Sequence, residues 1–357
     1  MQIPADLERR LARIGWRDRA LPADAPDGLS IARVVAQHRA GYQLHDGDAM
    51  FNAQPAARFL KRDLDPTARP AVGDFVLYAQ GKPPLIEVVL PRHTELQRGA
   101  AGESGQRQII AANIDTVFVL NGLDGDFNPA RIERYLLLVQ ASGASPVLVL
   151  TKADQGEPEE ALAELRARMP ELDVFAINAK SADSVAPLLA WLGPGHTAVL
   201  VGSSGVGKST LTNTLLGETR QATAAVRESD SRGRHTTTHR ALIQLPSGGC
   251  LIDTPGMREL KLTGEEELDE GQFADIEDLA QGCRFGDCAH VSEPGCAVRA
   301  ALDDGRLDAA RWHNYLKLRD ELAAAADTLE SRLRRKGEER VITKALGRRL
   351  DEKYGRH

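Results

Sequence analysis

Residues Gly202-Ser203-Ser204-Gly205-Val206-Gly207-Lys208-Ser209 satisfy the pattern G-x-x-x-x-G-K-[ST], and Thr210 follows. The stretch comes after the apolar run TAVLV and before the helix-forming LTNTLLGE, the strand-loop-helix context this motif requires. Its glycines let backbone N–H groups curl around a β-phosphate, and the helix N-terminus adds a favourable dipole. Lys208 is placed to reach the β- and γ-phosphates, and the Ser209 hydroxyl to ligate Mg²⁺. Downstream, the apolar run in GGCLID ends in Asp253-Thr254-Pro255-Gly256, a D-x-x-G. Asp253 would hold Mg²⁺, usually through water, and the Gly256 N–H would face the γ-phosphate. Between these motifs lies the polar GRHTTTH of 233–239. Thr237 is the hydroxyl expected to close over Mg²⁺, with Thr236 and Thr238 beside it. Met257, directly after Gly256, offers an attacking water no useful donor. His235 is therefore the expected group to accept a proton or position that water near pH 7.

Thr151-Lys152-Ala153-Asp154 follows a third apolar run, SPVLVL, and fits N/T-K-x-D. The Asp154 carboxylate can accept both N1–H and N2–H₂ of guanine, whereas adenine would leave that charge unpaired. Asn178-Ala179-Lys180, again after a strand-like run, resembles the S-A-K element whose backbone N–H contacts guanine O6. Farther on, Cys283-x4-Cys288-x-His290-x5-Cys296 gathers three thiols and an imidazole. Such a set completes a tetrahedral Zn²⁺ shell with no open position, a structural site. The alternative is three inert thiols in a loop. That reading has trouble with Gly282, Gly286, Pro294 and Gly295, because a turn-rich segment without a core needs a staple. Cys250 is expected only to fill a buried strand position.

The elements that must position these residues are legible from texture. Residues 1–28 read as a short amphipathic helix and a Pro/Asp/Gly stretch. From Ile31 to Thr94, short apolar runs (SIARVVAQ, VGDFVLYAQ, LIEVVL) are split by turns such as Asp46-Gly47, which points to a small barrel of the OB or SH3-like kind. Gly102 to Gly105 reads as a linker. Continuous apolar strands then alternate with helices: DTVFVLNGL, PARIERYLLLVQASG, SPVLVL, EEALAELRARM, DVFAINA, VAPLLAWLG and TAVLVG. That alternation means a doubly wound, mostly parallel sheet. RWHNYLKLRDELAAAADTLESRLRRK reads as one long helix with Gly337 as its stop.

The 357 residues allow two or three domains, and 42% hydrophobic with 27% charged residues excludes a disordered chain. Net charge is −6, but from Ser331 to His357 ten Lys/Arg face four Asp/Glu, a local +6. A basic tail (Arg332, Arg334, Arg335, Lys336, Arg340, Lys344, Arg348, Arg349, Lys353) on an acidic body suggests a polyanionic partner. Aromatic residues are only 4%, so phosphate and shape recognition of folded RNA is favoured over base stacking. The charged N-terminus does not read as a signal peptide, no run of 18 apolar residues occurs, and clustered rather than paired cysteines suit a reducing compartment; the cytoplasm is the expected location.

The order of these motifs (base loop, then phosphate loop, then switches) resembles the circularly permuted ribosome-biogenesis GTPases called small-subunit-dependent GTPase A, the RsgA/YjeQ family. Gly73-Asp74, Ile110-Ala111-Ala112-Asn113-Ile114-Asp115, GRHTTT and DTPGMRE match it as well. Thr151 stands where that family more often has Asn, and Asn178 where Ser is usual. The resemblance implies a multidomain α/β protein. An extension would span 1–30, an OB-like barrel 31–105, a permuted P-loop GTPase domain 106–265 and a zinc-binding helical region with the basic tail 266–357. It implies Mg²⁺ with GTP or GDP, one Zn²⁺, a monomer, and GTP hydrolysis on the 30S subunit and its 16S rRNA during late maturation. Two other functions compete with it: a metabolic P-loop kinase or ATPase, for which Asp154 has no purpose, and an RNA-binding adaptor holding GTP as a structural ligand.

Overall fold

The computed structural model describes residues 4–17, 21–23, 25–26, 28–38, 40–99, 107–217, 240–254, 262–263, 266, 268, 272–327 and 331. Five strands, β1 (Ser30–His38), β2 (Gly41–His45), β3 (Met50–Pro55), β4 (Phe75–Ala79) and β5 (Leu85–Val89), pair in the order β1-β2-β3-β5-β4, and β4 returns to β1. β3 and β5 run parallel and every other pair is antiparallel, which closes an OB-type barrel. Alternation along β1 and β4 sorts the side chains. Ala32, Val34, Val76 and Tyr78 join Leu44, Ala53 and Ile86 in the barrel interior. Ile31, Phe75 and Leu77 point the other way and are covered by Leu11, Ile14 and Trp16 around helix α1 (Ala5–Ala12).

A hairpin of β6 (Glu95–Gly99) and β7 (Arg107–Ala112) leads from the barrel into the α/β unit. The linker expected at Gly102–Gly105 falls between its two strands and outside the described residues. The α/β sheet has the order β10-β9-β8-β11-β13-β12, where β8 is Thr116–Gly122, β9 Ser145–Thr151, β10 Val174–Ala176, β11 Thr197–Gly202, β12 Ala241–Gln244 and β13 Cys250–Asp253. All neighbours are parallel except β12–β13. Val117 and Val119 face one layer, with Ile132 and Leu136 of α2 (Pro129–Gln140) and Leu165 of α3 (Pro158–Arg168). Phe118 and Leu120 face the other, with Leu188 and with Leu211 and Leu215 of α5 (Lys208–Leu216). The sheet is doubly wound, as the alternating texture predicted. VAPLLAWLG differs from its expected helix: a single turn, α4 (Ala182–Val185), passes into a 3-10 segment, Ala186–Trp191. Pro187 lacks the N–H that an α-helical bond back to Asp183 would need.

The barrel is fixed to this sheet by Arg33, which is fully buried. Its Nε donates to Gly73 O at 2.9 Å, one terminal nitrogen to Ile14 O at 2.6 Å and Thr197 Oγ1 at 2.8 Å, and the other to Asn113 O at 2.8 Å. Burial pushes its pKa down, opposed by the charges of Asp115 and Asp74. β1 also touches β12 through Ala36 and Ala241, so barrel and α/β sheet form one continuous sheet.

The C-terminal region, with α6 (Ala274–Gln281), α7 (Ala297–Asp303) and the helix α8 over 309–327, packs against α2. Leu137 of α2 is buried among Phe273, Ile276, Val298 and Leu318. Beside it, buried Glu133 accepts from Arg311 at 2.5 Å, and Arg311 grips both oxygens of Asp275 at 2.6 and 2.7 Å. Asn314 donates to the second Glu133 oxygen, and Arg134 pairs with Glu321.

Arg33→Met keeps the apolar stem but strips the donors from the carbonyls of Ile14, Gly73 and Asn113. It is expected to lower stability by about 3 kcal/mol, read as a lower denaturant midpoint; an unchanged midpoint would mean the guanidinium is dispensable.

Candidate nucleotide site and metal centre

Strands β9, β10, β11 and β13 run parallel and end at Thr151, Ala176, Gly202 and Asp253. Their following loops therefore leave from one carboxyl-terminal edge of the sheet, where α/β proteins bind ligands. Gly202 has φ +148°, and a Cβ there would lie 2.5 Å from Leu120 O, so only glycine fits the loop's entry. Gly207, at φ +104°, sits at the start of α5. The Lys208 ammonium donates to Gly202 O and Ser203 O, both at 2.6 Å. Burial pushes the Lys208 pKa down, and the Asp253 charge opposes that shift. Ser204, Gly205 and Ser209 lie exposed along the loop.

The base loops are tied to this phosphate loop by hydroxyls. Buried Thr151 donates from Oγ1 to Val206 O at 2.5 Å. Thr214 of α5 donates to Ala179 O at 2.6 Å. Asn178 turns its side chain into its own loop, accepting from the Lys180 N–H at 3.0 Å, while its N–H donates to Ser184 Oγ at 2.9 Å. Lys152, at φ +60°, pairs with Asp124, whose carboxyl is held below its usual range by that contact. The Ala153 N–H donates to Ile177 O at 3.2 Å, which leaves Asp154 exposed at the rim. On the far side, Thr254 Oγ1 donates to Leu200 O at 2.7 Å and fixes the end of β13 beside β11.

The fold thus brings Thr151 to Asp154, Asn178 to Lys180, Gly202 to Thr210 and Asp253 to one edge. His235, Thr237 and Gly256 lie outside the described residues, as do 332–357 of the basic tail. The Ser209 hydroxyl and Asp253 carboxylate are hard oxygen donors of the kind Mg²⁺ takes. Sequence reasoning missed Asp124 and Asp126, which flank this edge from the loop after β8. An Asp-Gly-Asp directly after a buried strand of the same parallel set was the available signal.

The ligand atoms of Cys283, Cys288, His290 and Cys296 all lie within 4.8 Å of one another. Cys283 Sγ is 3.5 Å from His290 Nδ1 and 3.9 Å from Cys296 Sγ, and His290 Nδ1 is 3.4 Å from Cys296 Sγ. Zn–S bonds of about 2.3 Å and Zn–N of about 2.0 Å give tetrahedral edges of roughly 3.5–3.8 Å. The donor set and its spacing therefore fit zinc. His290 takes φ +60°, and its ring meets Trp312 edge-on at 5.7 Å. Cys296 also caps α7, its sulfur accepting from the Arg299 N–H at 3.4 Å.

An N-terminal five-stranded barrel, a P-loop sheet whose base loops precede its phosphate loop in the chain, and a helical region bearing a Cys3His cluster define a circularly permuted GTPase. The profile of the RsgA GTPase family matches residues 89–263. The small ribosomal subunit biogenesis GTPase RsgA of Xanthomonas axonopodis pv. citri is 58% identical over 337 residues, covering 90% of this chain and 91% of its own. The protein of the same name from Xanthomonas oryzae pv. oryzae is 57% identical with the same coverage. Among solved structures, YjeQ from Thermotoga maritima aligns with TM-score 0.58 and 25% identity, over 83% of this chain and 99% of that one. YloQ, described as a circularly permuted GTPase, aligns with TM-score 0.55 and 25% identity, over 86% and 98%. The chain belongs to the RsgA GTPase family.

Protein purified without chelator is expected to carry one zinc per chain by elemental analysis, with affinity falling as acid protonates the thiolates. Cys288→Ala should lose that zinc and loosen the C-terminal region while leaving nucleotide binding largely intact. Absence of stoichiometric zinc in the wild type would refute the assignment.

Proposed function

We propose that this chain binds the small ribosomal subunit through 16S rRNA and hydrolyses GTP there during late subunit maturation, acting as a cytoplasmic monomer. One observation carries the nucleotide chemistry: TKAD, NAK, the phosphate loop and Asp253 leave one edge of a parallel sheet in permuted chain order. The names of its 57–58% identical relatives support the ribosomal role. In this reading Asp154 pairs with guanine N1–H and N2–H₂, and the backbone around Asn178, Ala179 and Lys180 faces O6. Lys208 exchanges the carbonyls of Gly202 and Ser203 for the β- and γ-phosphates. Ser209, Thr237 and Asp253 hold Mg²⁺, which when bound offsets phosphate charge. Gly256 N–H meets the γ-phosphate, and His235 takes the water-positioning role that Met257 cannot fill. Cys283, Cys288, His290 and Cys296 hold one structural Zn²⁺, and the basic tail meets RNA phosphates. Among the described residues no helix is long and apolar enough to cross a membrane. A metabolic ATPase would have no use for Asp154 in its base loop.

Two outcomes follow. Asp154→Asn should weaken GTP and favour xanthosine triphosphate, whose 2-oxo group can accept from the new amide. Titration of both nucleotides reads this, and an unchanged preference for GTP would sink the assignment of TKAD. Wild-type turnover should be slow alone and rise with purified small subunits. His235→Ala should lose that stimulated turnover while still binding GTP and subunits. Full stimulation in the mutant would remove His235 from the mechanism, and no stimulation of the wild type would overturn the ribosomal reading.

A further inference from the structure

Asp126 lies in the connection from β8 to α2, outside every nucleotide motif recognised in the sequence. Its Oδ2 accepts from Ser203 Oγ at 2.6 Å, and its Oδ1 from Arg131 at 2.7 Å. The first distance lies in the range of charge-assisted O–H···O⁻ bonds, about 2.5–2.7 Å. Ser203 is the second residue of the phosphate loop, and its carbonyl is one of the two that hold the Lys208 ammonium. One residue therefore stands between Asp126 and the lysine that must meet phosphate. Its neighbours in the loop, Gly202 at φ +148° and Gly205 at φ +80°, supply conformational freedom and no side chain to limit it. A tether on Ser203 limits that freedom where the loop leaves β11.

A free carboxylate beside a triphosphate site would repel it. Here both oxygens are engaged, one by the loop hydroxyl and one by a guanidinium, so the acid can sit close without facing the anion bare. Arg131 also belongs to the first turns of α2, the helix whose Glu133 meets Arg311 of the C-terminal region. The anchor on the far side of the tether is therefore itself held in a packed interface.

We propose that Asp126 is a positioning residue of this GTPase: it pins Ser203, and with it the entry of the phosphate loop, to the base of α2. This rests on the GTPase reading above. Asp126 acts on the phosphate loop through Ser203, whose hydroxyl it accepts from at 2.6 Å.

The test is release of a fluorescent GDP analogue from the full-length protein. Loss of one charge-assisted hydrogen bond should speed release about tenfold in Asp126→Ala and in Ser203→Ala. The combined variant should release no faster than either, because both substitutions cut one bond. Asp126→Asn, whose amide oxygen can still accept from Ser203, should return to within about threefold of wild type. Wild-type release from Ser203→Ala overturns the tether even if Asp126→Ala does not fold. Additive effects in the combined variant also overturn it. Equal slowing of release in Asp126→Ala and Asp126→Asn does so too, since that marks simple charge repulsion. A wild-type protein that binds no GDP overturns the GTPase reading itself, which separates that failure from unaltered release in variants of a competent protein.

Discussion

A guanidinium with no access to water must find its partners inside the protein, and the four groups that Arg33 uses come from four separate parts of the chain. Ile14 follows α1, Gly73 precedes β4, Asn113 joins β7 to β8, and Thr197 opens β11. Three of the four are main-chain carbonyls, so the requirement falls on backbone position rather than on side-chain type. Moving any one element leaves a buried charge or a buried carbonyl without its complement, and each costs on the order of 1–3 kcal/mol. Satisfying Arg33 therefore fixes where the barrel sits on the sheet. It also fixes the amino end of the strand whose carboxyl end becomes the phosphate loop.

From that anchored strand the site follows with little further instruction. A parallel set presents all its carboxyl ends together, whatever the order in which the chain visits the strands. Cutting and rejoining the chain elsewhere changes the sequence order of base loop and phosphate loop and leaves their spatial relation alone. What remains to be specified is contact between loops, and short hydroxyl bonds from Thr151, Thr214 and Thr254 supply it. At Thr151 the contact is made by a hydroxyl, which reaches the Val206 carbonyl.

Strands β8 to β11 and β13, with helices α2 and α3, were legible because each carries its own apolar pattern, and the phosphate loop because its glycines serve a local backbone need. The OB-type topology, with β3 beside β5, separates it from the SH3-like alternative, a matter of pairing that short apolar runs do not encode. The β6–β7 hairpin hid behind a glycine stretch that reads equally well as a linker. Pro187 turns the apolar run VAPLLAWLG from a helix into a 3-10 segment, an effect of one missing N–H that the apolar pattern does not carry. Arg33 sits in an apolar strand run as a single charged residue, and only its partners, up to 164 residues away, explain it. Glu133 and Arg311 are separated by 178 residues, and nothing local pairs them. Ligand sets with short spacing, such as Cys283 to Cys296, are legible; those closed by tertiary contact are not.

The same separation matters while the chain is being made. Barrel strands β1 to β5 end at Val89, and α1, Gly73 and Asn113 are all synthesised before β8 begins. The nascent barrel can therefore close and present Arg33 with most of its acceptors early. Thr197 emerges 164 residues after Arg33, roughly ten seconds to half a minute later at 5–20 residues per second. Once Asn113 has been made, Thr197 is the one acceptor of Arg33 still to come, on the strand that will carry the phosphate loop. If the barrel closes during synthesis, two unmet contacts, the Arg33 donor to Thr197 and the Ala36 edge of β1 to β12, are what the later sheet has to match.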